Sequence, residues 1–493
     1  MTGFVKGFHR DQQILLPETL DEYIHEESAV RFIDAFVESL DLHELGFTHA
    51  EPNEMGRPPY SPGDLLKLYL YGYLNTIRSS RRLERECHRN IELVWLLKKL
   101  APDFKTIADF RSQNPGALRQ VFRRMVKLYR EMGLLDDKLV GIDGTKLKAV
   151  NAISRHLTPE KLEEQMRAVD KAILRYLQEL DKNDRQEERL PPERIKDLKK
   201  KIAKLREKKH LYEEVDTRMK ASGEKEVSLT DPDSRVMPIQ KRSDMGYNAQ
   251  IAVEAKNRLV VEYDVSNHAA DHKELAPMAL SAKEALGVET LAVTADKGYY
   301  GAGHVNQCQQ AGITCYIPRP EKGKGAAQRL GISPGFHRDD FHYDSATDTF
   351  VCPAGARMNA WAPNPQMQNG VKTGVMMVRY HTSACHTCML RAKCTSSPRG
   401  RSIARREDDS AVDAMNERMK TWEGRTMVDV RKTLCEHPFG TIKRGFGQRD
   451  LLLKGLRKVN GEVGLTMIAY DMRRVLNLVG TPRLMEALNS RAG

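Results

Sequence analysis

The chain has 493 residues, 40% hydrophobic and 30% charged, which excludes a peptide module and allows several packed cores under a heavily charged surface. Lys and Arg number 79 against 67 Asp and Glu, and the net charge of +12 favours polyanionic partners without identifying one. No window approaches the roughly 18 consecutive apolar residues of a membrane span, and the opening MTGFVKGFHRDQQILLPETL offers no signal-peptide core, so a globular cytoplasmic protein is expected, neither secreted nor membrane-inserted.

Val30, Ile33, Phe36, Val37, Leu40 and Leu42 recur near the helical period and predict an amphipathic helix within 26–47. Pro58, Pro59 and Pro62 then break the chain, and Ser61 ahead of Pro62 and Asp64 predicts a new helix over 63–78. Helices near 79–88 and 90–100 follow, then one in APDFKTIADFRSQN for which Thr106 is the expected cap. Residues 1–135 read as one helical domain.

KLVGI at 138–142, followed by DGTKLKA, predicts a buried strand that ends in an acidic residue and a glycine turn. Over 155–220 helical periodicity returns, split at Pro191 and Pro192 into a lysine-rich helical hairpin. A solvated arm is its plainer reading, a contact with a DNA backbone or partner protein the sharper one. YNAQIAVEA and RLVVEYDVS predict a β-hairpin turning at Lys256 and Asn257. A helix in HKELAPMALSAKEAL, a strand over 289–296, a helix in GAGHVNQCQQAG and a strand over 313–318 follow, so 136–320 reads as an α/β unit with a mixed sheet between helices.

Residues 321–405 interrupt this pattern with Gly, Pro and Arg and read as a separate insertion. Cys352, Cys385, Cys388 and Cys394 cluster there, while the other four of the eight cysteines are scattered. Four thiolates suit a structural Zn²⁺; an iron–sulfur cluster and metal-free reduced thiols are the remaining readings. Helical periodicity resumes over 406–480 and leaves 481–493 as a tail.

Asp143 and Asp296 each end a predicted strand ahead of a Gly-containing turn, an arrangement that lets two carboxylates converge at one sheet edge. Divalent-metal-assisted phosphoryl transfer uses such a pair, because Mg²⁺ prefers hard oxygen ligands. The order DGT, TADKGYYG, EHPFGTIKRGFG, behind YSPGDLLKLYLYGYLNTIRSSRRLERE and TIADFRSQN, resembles bacterial insertion-sequence transposases, and most of all the IS1182-like branch of the IS4/IS5 superfamily. The resemblance runs from about residue 15 to 478. It implies an RNase-H-like catalytic core with a DDE triad, carried over by local motif to Asp143, Asp296 and Glu436 as catalytic and metal-binding residues. By its residues alone Glu436 is an ordinary exposed helix glutamate beside the helix-disturbing Pro438, with Glu417, Glu423 and Asp429 as alternatives.

The resemblance further implies two Mg²⁺ ions, with Mn²⁺ as substitute, and water and then a DNA 3′-hydroxyl as successive nucleophiles. Its implied partners are double-stranded DNA with terminal inverted repeats, target DNA, and a second copy in a homodimer or larger nucleoprotein assembly, located at the nucleoid when bound. The alternatives are a metal-dependent nuclease without strand transfer and a catalytically inactive DNA-binding protein. Candidate DNA contacts are Arg78, Arg81, Arg82 and Arg85 in the helical front domain, Lys146, Lys148 and Lys297 beside the aspartates, Arg405 and Arg406 at the insertion's end, and Lys432, Lys443 and Arg444 around Glu436. Solvated surface charge is the plain alternative for each. His268 and Asp271 in SNHAADH are weaker candidates for supporting or DNA-contacting roles, and Tyr299 and Tyr300 for stacking or local packing.

Overall fold

The computed structural model describes residues 19–51, 58–151, 156–184, 191–224, 226–239, 242–320, 335–336, 338–361, 363–368, 371–406 and 409–492. The amino-terminal segment read for a signal peptide and the first part of the expected insertion lie outside the described residues.

Six helices open the fold: α1 (Ala29–Glu38), α2 (Pro62–Leu74), α3 (Ser80–Arg89), α4 (Ile91–Leu96), α5 (Phe104–Gln113) and α6 (Pro115–Glu131). Ser61 caps α2 as expected, its hydroxyl accepting the Gly63 N–H at 3.1 Å with Pro62 in the first turn. The cap of α5 is Asp103 rather than Thr106. Its carboxylate accepts the N–H groups of Lys105 and Thr106, both at 3.0 Å, and the Thr106 hydroxyl at 2.6 Å. Helix α2 is buried on nearly every face, so its one cation, Lys67, is neutralised by Asp34 and Glu38 of α1 at 2.6 and 2.5 Å.

The chain then builds a mixed sheet from β1 (Leu139–Lys148), β4 (Arg235–Ile239), β5 (Arg242–Glu254), β6 (Val260–Ser266), β7 (Leu291–Ala295) and β8 (Ile313–Tyr316). Strand β5 pairs antiparallel with β1 on one side, and on the other with β4 at its start and β6 along the rest. Strands β7 and β8 continue the sheet parallel to β1. Helices α9 (Leu275–Leu286) and α10 (Ala302–Gln310) make the crossovers. Three antiparallel strands followed by two parallel ones, with β1 central, are consistent with an RNase-H-like core. At the predicted β-hairpin the organiser is Glu254, whose carboxylate accepts the N–H groups of Lys256, Asn257 and Leu259 at 2.8, 2.8 and 2.9 Å.

Between β1 and β4 stand the two-stranded pair β2 (His156–Leu157) and β3 (Val227–Ser228) and the helical hairpin α7 (Pro159–Asp184) and α8 (Pro192–Ser222). The hairpin has its own small core of Leu157, Leu162, Val169, Tyr212, Met219 and Val227, which accounts for its sparse apolar stripe.

The cysteine-bearing segment is more regular than its composition suggests. Strands β9 (His342–Asp344), β10 (Thr349–Val351), β11 (Arg357–Ala360), β12 (Asn364–Gln368), β13 (Val371–His381) and β14 (Ile403–Arg406) form a second, antiparallel sheet, with a single helical turn, α11 (Arg391–Cys394), before β14. Helices α12 (Ser410–Lys420) and α13 (Trp422–Gly440) return to the core. Helix α13 continues through Pro438 without breaking at Glu436 and ends in a wider π-turn, Thr441–Gly445; the missing proline N–H leaves only the Leu434 carbonyl, one turn earlier, without its helical partner. The last helix, α14 (Leu456–Ala492), is interrupted at Gly480, whose φ is +75°. The expected tail is packed helix: Leu484 and Leu488 are buried, and the Thr481 hydroxyl donates to the Glu27 carbonyl at 2.8 Å. Among the described residues no helix is long and apolar enough to cross a membrane.

Candidate active site

Strand β1 does not stop at Asp143. It continues for five residues against β5, to the pair Lys148 and Gly246, while its parallel pairing with β7 ends at Ile142 and Ala295. Asp143 and Asp296 are the next residues on adjoining parallel strands, so both carboxylates stand where the parallel half of the sheet opens. The Asp296 carboxylate also accepts the Gly298 N–H at 2.7 Å and caps the short 3₁₀ turn Lys297–Tyr299.

Strand alternation divides the surroundings between two faces. Gly141 and Asp143 face α13. A Cβ on Gly141 would lie 3.0 Å from Cys435 Sγ and 3.3 Å from Leu434 Cδ1, so the missing side chain lets the helix settle on the strand. From the same helix, Arg431 places Nη1 3.1 Å from Asp143 Oδ2, and the Gly144 N–H bonds Asp143 Oδ1 at 2.8 Å. Burial pushes the Asp143 carboxyl up to about 6; Arg431 and the Gly144 N–H oppose this, and the nearby Asp296 and Asp271 reinforce it. Lys443, half-buried in the π-turn, is held below the ordinary lysine range by burial, against the pull of Asp143.

On the opposite face lies a polar network centred on Asp271. Its Oδ1 accepts Lys146 Nζ at 2.7 Å, Asn248 Nδ2 at 2.7 Å and Gln250 Nε2 at 2.9 Å. The buried Tyr299 hydroxyl donates to Gln250 Oε1 and ties the turn after Asp296 to β5. Gly144 leaves room for this network, since a Cβ there would collide with the Gln250 amide.

Glu436 is exposed on α13, next to the inward Cys435. The buried Cys435 thiol is raised chiefly by burial, with Asp143 ahead of Asp296 and Glu436 among the charges that add to it. Carboxylate oxygens where the parallel pairing of β1 and β7 ends fit the chemistry of a hard divalent cation. Among the described residues, no group of three or more His, Cys, Asp or Glu side chains stands in a metal-holding arrangement.

The predicted cations divide into engaged and exposed. Arg78 donates to the Asp450 carbonyl at 2.6 Å and to the buried Glu462 at 3.2 Å, joining the front helices to α14 and the segment before it. Arg405 is buried, paired with Asp413 at 2.6 Å and stacked 4.2 Å from the Tyr343 ring centre. Lys148 pairs with Asp244 at 2.9 Å and Lys432 with Asp429 at 2.9 Å, and Arg406 is half-buried beside Gly303. Arg81, Arg82, Arg85, Lys297 and Arg444 are exposed. Glu423 accepts the Tyr316 hydroxyl at 2.6 Å, Glu417 pairs with Lys420, and His268 pairs with Glu274. The residues that sequence reasoning passed over are Arg431, Asn248 and Gln250; the two amides at alternate positions within the apolar stretch Met245–Val253 of β5 were the available signal.

Residues 18–113 match a family described as a transposase domain of the DUF772 type. Residues 216–350 and 351–476 each match a family described as a transposase DDE domain. No curated protein matches the chain. A solved structure described as a cryo-EM structure of a piggyBac transposase synaptic complex with hairpin DNA is similar at 7% identity and a TM-score of 0.23, over 94% of this chain and 85% of that one, a likeness too slight to carry an argument. The two adjoining DDE matches span the later strands of the core sheet, Asp296 and the helix that bears Glu436, so residues 216–476 belong to DDE-transposase domain families.

Proposed function

We propose that the protein is an insertion-sequence transposase of the IS1182-like branch that binds terminal inverted repeats, cleaves phosphodiester bonds and joins the freed 3′ ends to target DNA. The observation that carries this reading is that Asp143 and Asp296 each follow the last parallel pair of β1 and β7, Ile142 and Ala295, beneath the helix that bears Glu436. Asp143 and Asp296 would hold Mg²⁺, or Mn²⁺ in its place, with Glu436 contributed from α13. Such a cation supplies an acidified water and charge neutralisation at the phosphate.

The chain's own residues do the rest. The Asp271 network fixes the Asp296 turn through Gln250 and Tyr299. Lys443 directs positive charge at the Asp143 side of the site, where a phosphate oxygen gains negative charge. Exposed Arg81, Arg82 and Arg85 on α3 suit contacts to a DNA backbone. Two element ends must meet, so the working form is a dimer or larger assembly on DNA. A second reading, a DNA-binding protein without cleavage, is favoured by the Arg431 guanidinium already paired with Asp143.

The test is Mg²⁺-dependent cleavage and joining of a linear DNA carrying both flanks of the native gene, with Asp296→Asn alongside wild type. A recombinant product that the substitution abolishes while end binding survives supports transposition. Cutting without joined product favours the nuclease, and binding without cleavage in either Mg²⁺ or Mn²⁺ favours the inactive reading.

A further inference from the structure

Among the described residues, the second sheet buries few apolar side chains. Its buried apolar core is Phe341, Phe350, Met358, Tyr380 and Ile403, with Cys352 and Cys394 packed against the edge. The four clustered cysteines come from three separate stretches: Cys352 after β10, Cys385 and Cys388 after β13, and Cys394 at the end of α11. All four are half-buried, free of disulfides, and line one cavity of about 20 Å³, whose other walls include Phe336, Phe341, Met358 and Leu390. That volume admits one water-sized body.

The backbone is shaped around this cavity. Cys352 donates its N–H to the Ala356 carbonyl at 3.0 Å and accepts the Gly355 N–H at 2.8 Å, closing a tight turn in which Gly355 has a φ of +80°. Gly400, with a φ of +84°, passes so close that a Cβ there would lie 2.7 Å from Cys385 Cβ. Arg401 stands on the same cavity wall as the four thiols.

We propose that Cys352, Cys385, Cys388 and Cys394 bind one structural Zn²⁺ that pins the loops of the second sheet together. Soft thiolates around a one-ion space suit tetrahedral Zn²⁺. The sulfurs ring the cavity without closing into a three-ligand group, so binding draws the three stretches inward. Each coordinated thiol gives its proton to solvent, and no electron is transferred. A sheet with so few buried apolar residues gains its missing stabilisation from the ion, as small metal-held modules do. This inference is independent of the catalytic reading.

The test is elemental analysis of the full-length protein purified under reducing conditions without chelator. One zinc per chain and no stoichiometric iron is expected, and Co²⁺ replacement should give the intense near-ultraviolet thiolate band and visible bands of a tetrahedral sulfur site. The Cys352→Ser and Cys388→Ser double variant should lose the metal and its cobalt spectrum. Because that variant can fail to fold, the wild-type stoichiometry is decisive by itself. Metal-free wild-type protein whose stability ignores chelator, iron with a broad visible band, or zinc retained by a folded double variant would each overturn the proposal.

Discussion

Arg431 Nη1 and Asp143 Oδ2 stand 3.1 Å apart, which places a fixed guanidinium against the most buried carboxylate of the candidate site. In a cation-dependent site the two positive charges compete for one carboxylate. A charge-assisted hydrogen bond is worth about 1.5–3 kcal/mol. Arg431→Gln is therefore expected to tighten Mn²⁺ binding roughly tenfold, the equivalent of about 1.4 kcal/mol, when measured by isothermal titration without DNA. Unchanged or weaker binding would show that Arg431 supports the site rather than blocking it.

Gly144 tests the opposite face of β1. The sequence suggests a glycine turn after Asp143, yet Gly144 lies inside a paired strand and is absent from the positive-φ residues. What it provides is room, because a Cβ would strike the Gln250 amide, itself held by Asp271 and Tyr299. Gly144→Ala should cost about 1–3 kcal/mol through overpacking and lower the thermal midpoint. Restoration by Gly144→Ala combined with Gln250→Ala would identify the amide as the obstacle. Equal destabilisation in the double variant would point instead to the Tyr299 hydroxyl, which the same Cβ would approach to 3.0 Å.

The front-domain arginines separate by what they touch. Arg78 faces Glu462, a fully buried carboxylate otherwise held by the N–H groups of Leu452 and Leu453. Removing one partner of a buried pair leaves an uncompensated charge, so Arg78→Ala should destabilise the fold by about 2–4 kcal/mol. Arg82→Ala and Arg85→Ala should leave the denaturation midpoint unchanged while weakening DNA binding and lowering its salt slope by about 1 each. A stable Arg78→Ala protein with a reduced salt slope would return Arg78 to the DNA surface.

Much of the core sheet was legible in the sequence because its strands alternate or run apolar between clear turns, and Asp143 and Asp296 stood out at their ends. The length of β1 was not legible. Alternation in DGTKLK is sustained by pairing with β5 a hundred residues later, and the intervening hairpin hides that partner. The second sheet was missed because most of its strands are only three to five residues long and one of them, β11, is mostly exposed. Arg431 escaped notice because spacing from Glu436 drew attention to Lys432 and Lys443. The face that packs on β1 carries Arg431, Leu434, Cys435 and Pro438, and only the contact with Gly141 reveals which way the helix is turned.

Asp471 gives a test of stability against pH away from the candidate site. It is 1% exposed on α14, and its Oδ1 accepts the Val260 N–H at 2.8 Å while Oδ2 has no hydrogen-bond partner among the described residues. Burial drives its carboxyl well above the ordinary value of 3.8; the Val260 N–H and Arg474 oppose this, and Glu254 adds to it. An acid raised on folding contributes stability that is fully present below the unfolded value and is lost as pH rises through the folded one. Between those values the wild type should lose up to about 1.4 kcal/mol per pH unit from this group. Asp471→Asn keeps an oxygen for the Val260 N–H and cannot ionise, so its denaturation midpoint should vary less with pH and should equal or exceed that of wild type at pH about 8. Parallel urea-unfolding series across the pH range decide the matter. A constant offset between the two proteins would mean that Asp471 keeps the same protonation state folded and unfolded, and that its burial is compensated by groups other than those named.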